Sequence, residues 1–147
     1  MTPQRIIGIG YEGSDLDGLI AKLRLRGVDH VVDVRLNPIS RKRGLSKTAL
    51  RAGLGAAGLG YSHLRALGNP KTNRDGFAST TGPAADASRT AYRQLLRSEA
   101  AQDALSQIRE LATGHRVALM CFEADGSHCH RELVLEALGV GALALVV

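Results

Sequence analysis

The chain has no tryptophan, two phenylalanines and three tyrosines, so aromatic residues make up only 3% of its 147 positions. That scarcity leaves little with which to stack unpaired bases, and a nucleic acid would have to be held mostly by its backbone. Cysteine is equally rare, at two residues. Two cysteines without an export signal point to a reducing cytoplasm and free thiols, not to a disulfide framework. Runs of 18 apolar residues are absent, which excludes an ordinary transmembrane helix and a membrane partner of that kind. The apolar stretch Ile6-Ile7-Gly8-Ile9 is too short for a signal-peptide core. The expectation is a soluble cytoplasmic protein. Its 147 residues fit one domain, 1–147, able to bury a core without disulfides or structural metal.

Hydrophobic residues at 44% and charged residues at 22% are ordinary for a globular chain. The net charge of +5 is moderate but unevenly placed. From Arg35 to Arg74 there are nine basic residues and no acidic one, whereas Val117 to the end carries four acids against Arg131. A one-sign stretch of this length makes a local positive field that attracts phosphates or polyanions. The plainer alternative is a solvated basic face.

Hydrophobic periodicity divides the chain into alternating strands and helices. Ile6 to Ile9 reads as a short buried strand, followed by a helix capped at Ser14 and ended by Gly27. Val28 to Val34 is valine-rich, as expected of a strand covered on both faces. Ser46 caps a second helix, and Leu59 to Leu64 is a further short strand. Gly68 to Ala85, rich in Gly, Pro, Asn, Thr and Ser, reads as a long irregular loop, the kind that serves as a flap or a link. Tyr92 to Ala112 is helical with a break near Ser98. Arg116 to Phe122 is a second convincing buried strand, Cys129 to Leu138 a helix, and Leu143 to Val147 a last strand. Such alternation predicts an α/β fold with a mainly parallel sheet and helices on both faces. Ligands then bind beyond the carboxyl ends of the strands. Three polar loops fall there: Gly10 to Gly13, Asp33 to Pro38, and Cys121 to Arg131.

The last of these concentrates reactive residue types. A strand ends at Cys121, passes through Glu123 and Asp125, and turns at Gly126 into a helix near Cys129. Free N–H groups at a helix start favour an anion, and Arg131 in that turn could clamp phosphate or carboxylate. A thiol there has a lowered pKa, which makes Cys129 a better nucleophile than Cys121, with His130 as a base. Alternatively, Cys121 is a buried core thiol, and His130 and Arg131 merely pair with acids. The donors Cys121, Glu123, His128, Cys129 and His130 also raise the question of metal. The seven residues between the cysteines, however, are not the two to four of a zinc knuckle, nor is this the C-x-x-C-H of a haem attachment. No metal ligand is assigned. The loop is also longer than that of a cysteine phosphatase or rhodanese, in which five residues separate cysteine from arginine.

Two further motifs bear on ligands. Gly8-Ile9-Gly10-Tyr11-Glu12-Gly13 matches G-x-G-x-x-G, with Asp33 twenty residues beyond Gly13, the dinucleotide pattern with its ribose-binding acid. Against it, Gly8 falls inside the strand, and Tyr11 and Glu12 crowd the place of the pyrophosphate. Tight-turn glycines explain the motif equally. In Asp33-Val34-Arg35, residues two apart on a strand share a face. They form either a structural pair or a catalytic acid beside a substrate clamp, with Ser40, Arg41, Lys42 and Arg43 as a phosphate-binding rim.

Taken together, Ile7-Gly8-Ile9-Gly10-Tyr11-Glu12-Gly13, Val32-Asp33-Val34-Arg35-Leu36-Asn37-Pro38-Ile39-Ser40, Ala118 to Ala124, and Cys129-His130-Arg131-Glu132-Leu133 resemble the domain of unknown function 488 family. Gly60-Tyr61 and Leu67-Gly68 fit the same pattern. The resemblance implies an α/β fold and a site formed by Asp33, Arg35, Pro38, Ser40, Cys121, Glu123, Cys129, His130 and Arg131, without an established reaction or cofactor. The stretch from Asn69 to Ala91 departs from the pattern, and Asp125 to His128 lacks a bulky aromatic before Cys129-His130-Arg131.

The functional expectation is a protein that binds or acts on a phosphate-bearing substrate, a nucleotide or nucleic acid. Its site is the crevice between the Asp33–Arg35 and Cys121–Arg131 loops. Asp33, Glu123, Cys129 and His130 are the catalytic candidates, and Arg35, Ser40, Arg41 and Arg131 the substrate-binding ones. The alternatives are a non-catalytic nucleic-acid-binding module using Arg35 to Arg74, and an NAD(P)-binding protein using Gly8 to Gly13.

Overall fold

Four short strands carry the apolar runs identified in the sequence, and in the computed structural model, described over residues 5–140, they form one sheet. They are β1 (Ile6–Gly10), β2 (His30–Asp33), β3 (Gly60–His63) and β4 (Val117–Cys121), in the order β1-β4-β2-β3. Every pairing is parallel. β4, interior to the sheet, is fully buried along its length.

Strand residues alternate between the two faces, as the pleat requires. Ile7, Ile9, Val31, Ala118 and Met120 pack with α1 (Leu16–Leu25) and α2 (Lys47–Ala56). Ile6, Val32, Val117, Leu119 and Cys121 face α3 (Pro83–Leu96), α4 (Glu99–Gly114) and α5 (Arg131–Ala137). Each helix buries one stripe and leaves the rest wet. In α4 the stripe is Ala101, Ala104, Leu105 and Ile108, at the three-and-four spacing of an amphipathic helix.

Several boundaries differ from the sequence expectation, each for a local reason. Asp15, not Ser14, caps α1: its carboxylate accepts from the Gly18 amide at 2.8 Å, while the Ser14 hydroxyl accepts from Lys22 Nζ. Ser46 precedes α2 as expected, but its hydroxyl is turned to the Ser40 backbone instead of the helix. The expected break near Ser98 is complete. Ser98 caps α4 through the Ala101 amide, and α3 begins earlier, at Pro83 in its first turn, where a missing N–H costs nothing. The Gly68–Ala85 stretch is not irregular throughout: it holds short 3-10 turns at Lys71–Asn73 and Asp75–Ala78 and buries Phe77. The helix expected from Cys129 starts at Arg131 and is seven residues long, preceded by a 3-10 turn at Gly126–His128. The strand expected at Leu143 to Val147 lies outside the described residues. Among those described, no helix is long and apolar enough to cross a membrane.

The packing of α4 against the sheet makes a direct stability prediction. Leu105 is 1% exposed, and Leu105→Ala should lower unfolding free energy in urea by about 3 kcal/mol, the usual result for a buried leucine. A loss below about 1 kcal/mol would mean that the helix is not seated as described.

Candidate functional site

β4 is where the fold opens a crevice. α5, which follows β4, lies on one face of the sheet, whereas α1 and α2, which follow its neighbours β1 and β2, lie on the other. Chain segments leaving adjacent parallel strands on opposite faces part at the carboxyl edge and leave a gap there. The strand registers bring Gly10, Cys121, Met120, Asp33 and His63 to that edge. The three polar loops therefore do converge, together with the segment after β3.

At the end of β2, Asp33 is fully buried and Arg35 is 7% exposed. The guanidinium meets the carboxylate with two parallel bonds, Nε to Oδ1 at 2.9 Å and Nη2 to Oδ2 at 2.7 Å, the bidentate arrangement that arginine's planar fork allows. The Arg35 amide donates to Asp33 Oδ1, and the Tyr61 hydroxyl to Oδ2 at 2.6 Å. The remaining Arg35 Nη1 donates to the Leu45 carbonyl and the Tyr11 hydroxyl. Burial alone works against the Arg35 charge, but Asp33 overrides it and holds the pKa above its ordinary value. Burial, then Asp33, likewise push the Tyr61 phenol up. Of the two readings open from sequence, these contacts describe the structural pair. His63 Nε2 donates to the Arg35 carbonyl at 2.7 Å.

At the end of β4 the loop is held by Arg131. This side chain is 3% exposed and has no carboxylate within ion-pairing distance among the described residues. Its Nη1 donates to Cys121 Sγ at 2.9 Å and to the Glu123 carbonyl, and its Nη2 to the Ala124 carbonyl at 3.1 Å. Burial lowers its pKa, with the charges of Glu123, Asp125 and Glu132 acting in the opposite direction. The expected clamp on a ligand is thus a clamp on the protein's own loop. Nor does the helix start offer open amides: the Arg131 N–H points to Cys129 Sγ, and those of Glu132 and Leu133 go to the Cys129 and His130 carbonyls.

The sulfurs of Cys121 and Cys129 meet as a disulfide, and no described cysteine is free. This corrects the expectation of free thiols. Glu123 Oε2 is 3.6 Å from Cys121 Sγ, and both sulfurs and a Glu123 oxygen lie within 4.8 Å of one another. His130 Nδ1 is 3.6 Å from Cys129 Sγ, and its Nε2 is 2.8 Å from the Val34 carbonyl. A carbonyl only accepts, so the proton is on Nε2 and the Nδ1 lone pair faces the sulfur. Burial lowers the His130 pKa to about 4, leaving the ring neutral at neutral pH.

These groups line a cavity of about 440 Å³, within the range of small-molecule sites. Of the residues singled out in sequence, Arg35, Cys121, Glu123, Cys129 and His130 line it, and Asp33, Ser40, Arg41 and Arg131 do not. Arg41 is exposed, and Ser40 is engaged with Ser46 and the Lys42 amide. The lining also includes Tyr11, Asn69, Arg74, Phe77 and His128, which sequence reasoning did not assign to a site. Arg74, at the end of the one-sign basic stretch, was the one with a visible signal. Among described residues, only its Nε is engaged, with the Asn69 carbonyl.

The glycine pattern serves packing. Gly8 lies inside β1, where a methyl would press within 3.2 Å of Arg131 Nε, and at Gly10 it would run into the Glu123 carbonyl. The place a pyrophosphate would take beside Gly10 is therefore filled by the Cys121–Arg131 loop, and Tyr11 is buried there at 3% exposure. Gly13 has φ of +78°, a conformation that favours glycine.

A family model described as "Domain of unknown function DUF488" matches residues 15–138. No curated protein matches the chain. Among solved structures, a candidate phosphatase (DUF442) from Shewanella putrefaciens CN-32 is similar with a TM-score of 0.53 and 13% identity. The match covers 99% of this chain and 73% of that one. At that identity the likeness is one of fold.

The Asp33–Arg35 geometry can be tested by removing charge without volume. Asp33→Asn should destabilise the protein by about 3 kcal/mol in chemical denaturation, because a buried guanidinium loses its counter-charge. Unchanged stability would show that the carboxylate is not committed to Arg35.

Proposed function

We propose that this chain, which belongs to the DUF488 family, binds and acts on a small phosphate-bearing molecule in the cavity at the end of β4. The observation that carries the reading is the juxtaposition in one cavity of Arg74, Arg35 and His128 with Cys121, Glu123 and Cys129. Arg74 at the rim attracts and orients an anion, and Glu123 and His130, able to transfer a proton or share an electron pair, stand on the floor beside it. A cavity of about 440 Å³ suits a nucleotide-sized ligand, and Tyr11, Phe77 and Phe122 offer apolar surface to the part that is not phosphate.

Roles follow from access. Arg74, with free Nη groups, takes the place of Arg131 as the clamp. Arg35 lines the cavity with its donors engaged and its charge balanced by Asp33, which acts as a positioning residue through it. Glu123, half-buried beside the sulfur, is the acid–base group. The neutral His130 presents only Nδ1, so it can accept a proton or ligate but not donate. The similarity in fold to a candidate phosphatase agrees with phosphate chemistry without assigning it.

A second reading rests on the surface. Arg41, Arg43, Lys47, Arg51, Arg65, Lys71 and Arg74 are all exposed within a stretch that contains no acid, which suits the backbone of a nucleic acid.

Two measurements separate these readings. In a thermal-shift screen against inorganic phosphate and nucleoside monophosphates, a ligand at a hundredfold its Kd should stabilise the wild type by about 2.7 kcal/mol, a shift of several degrees. Arg74→Ala should lose most of that shift, and equal shifts in both proteins would defeat the cavity reading. Nucleic-acid binding, in contrast, should weaken about 10³-fold between 50 and 200 mM salt if roughly six phosphates are contacted, and Glu123→Gln should leave it unchanged. Flat salt dependence would remove the second reading.

A further inference from the structure

We infer that, in the reduced chain, Cys121, Glu123, Cys129 and His130 form a binding site for a divalent metal ion of zinc's class on the floor of the cavity. This goes beyond the anion reading and does not rest on it, because it stands on the geometry of the donors alone.

The two sulfurs and a Glu123 oxygen lie within 4.8 Å of one another, and His130, whose Nδ1 reaches Cys129 Sγ but stands outside that group, would complete the set by a small movement once the sulfurs part. In a four-coordinate site with metal–sulfur bonds of about 2.3 Å and metal–nitrogen or metal–oxygen bonds near 2.1 Å, neighbouring ligand atoms stand about 3.6 Å apart. The Cys121 Sγ to Glu123 Oε2 and Cys129 Sγ to His130 Nδ1 distances are both 3.6 Å. The cysteine Cα atoms are 7.5 Å apart, wider than the roughly 4.4–6.8 Å usual for bridged cysteines. That backbone separation favours thiolates that share an ion over thiols that join each other. Thiolate and imidazole together select zinc over hard cations such as magnesium.

The surroundings are those of a prepared metal site. The Nε2–H bond from His130 to the Val34 carbonyl, at 2.8 Å, orients the ring with its Nδ1 lone pair toward Cys129 Sγ, as outer-sphere partners of ligating histidines do. Arg131 Nη1 lies 2.9 Å from Cys121 Sγ, and this buried cation has no carboxylate partner among the described residues. Two thiolates and a carboxylate around a divalent ion leave one net negative charge, which Arg131 balances. All four ligand residues line the cavity, so a bound ion would face whatever occupies it. The seven-residue spacing missed this arrangement because knuckle spacing describes ligands from one tight turn. Here they come from a strand end and from the turn before a helix.

Opening the sulfur–sulfur bond takes two electrons from a phosphine, which becomes its oxide by taking the oxygen of a water molecule, and the two protons come from that water. Metal binding then releases the two thiol protons to solvent. The test uses the full chain, reduced with a phosphine, stripped with a chelator under nitrogen, and titrated with Co²⁺ and then Zn²⁺. One Co²⁺ per chain should bind with thiolate-to-metal charge-transfer absorption and be displaced by Zn²⁺. Cys129→Ser should lose about half of that absorption, and His130→Gln should weaken Zn²⁺ binding at least tenfold, with circular dichroism checking that each variant folds. In the unmutated protein, Zn²⁺ should slow the reaction of both thiols with a disulfide reagent at least tenfold. The proposal is overturned if the reduced wild type takes up no more Co²⁺ than a Cys121→Ser, Cys129→Ser double variant, or if its thiols react equally fast with and without Zn²⁺.

Discussion

The guanidinium of Arg131 is the contact on which the carboxyl edge of the sheet depends. It projects from the first residue of α5 back under the loop that leads into that helix, and donates to Cys121 Sγ and to the carbonyls of Glu123 and Ala124. One planar group thereby fixes the end of β4, the first bend of the loop and the start of the helix relative to one another. Room for it comes from β1. Gly8 leaves space beside Arg131 Nε, and Gly10 lets the Glu123 backbone lie directly on the strand. The bonds from Tyr11 N to the Cys121 carbonyl and from Glu12 N to the Phe122 carbonyl extend the β1–β4 ladder past the sheet. A pattern that resembles a nucleotide-binding fingerprint is, in this chain, the packing surface for an arginine and a loop.

With the loop fixed in this way, the cavity divides into a rigid floor and a more open rim. The floor comes from strand ends and their immediate continuations, Arg35, Cys121, Cys129 and His130, and each is held by backbone or buried side-chain contacts. The rim comes from the segment after β3, where Arg74 and Phe77 sit on short 3-10 turns against α3. His128 joins the two parts, because its Nδ1 donates to the Phe77 carbonyl at 3.1 Å. Reactive groups on strand ends beneath a rim carried by a loop segment are what a site needs when orientation is set on the scaffold and recognition on the loops.

The fold class was legible in the sequence because it rests on short-range signals: valine-rich strands, three-and-four helical spacing, and glycine or serine at the boundaries. The convergence of Asp33, Arg35 and Cys121 at one edge was legible for the same reason, since a parallel sheet with crossovers places all strand ends together. What could not be read was the direction in which each side chain spends its hydrogen bonds. Arg131 and Arg35 resemble ligand clamps in a linear motif, and only the fold reveals a sulfur and two carbonyls in front of one and a carboxylate in front of the other. Arg74 is the reverse case. The sequence marks it only as the last residue of the basic stretch, and its place on the cavity follows from the 3-10 turns that bring it there. The surroundings of the two sulfurs were equally hidden in the sequence: the Arg131 amide points to Cys129 and the Arg131 guanidinium to Cys121, because the helix starts two residues later than its pattern suggests.

The two buried arginines solve the same problem differently, and the difference locates the variable part of the molecule. Arg35 is neutralised by Asp33, a carboxylate fully buried and saturated with donors, so that pair keeps a constant charge. Arg131 faces a sulfur whose charge depends on its chemical state. A disulfide sulfur carries none, and a guanidinium at 3% exposure then has backbone dipoles and the more distant charges of Glu123, Asp125 and Glu132 for compensation. A thiolate at Cys121 supplies the missing charge at 2.9 Å, in a setting where an uncompensated ion costs several kcal/mol. A buried cation is better compensated by an anionic neighbour than by a neutral one. In the paired state the loop is still held by the Glu123 and Ala124 carbonyls on the same guanidinium, and the charge on the sulfur sets how well that guanidinium is compensated. The chemistry of the site and the stability of the edge that carries it are in this way the same electrostatic question.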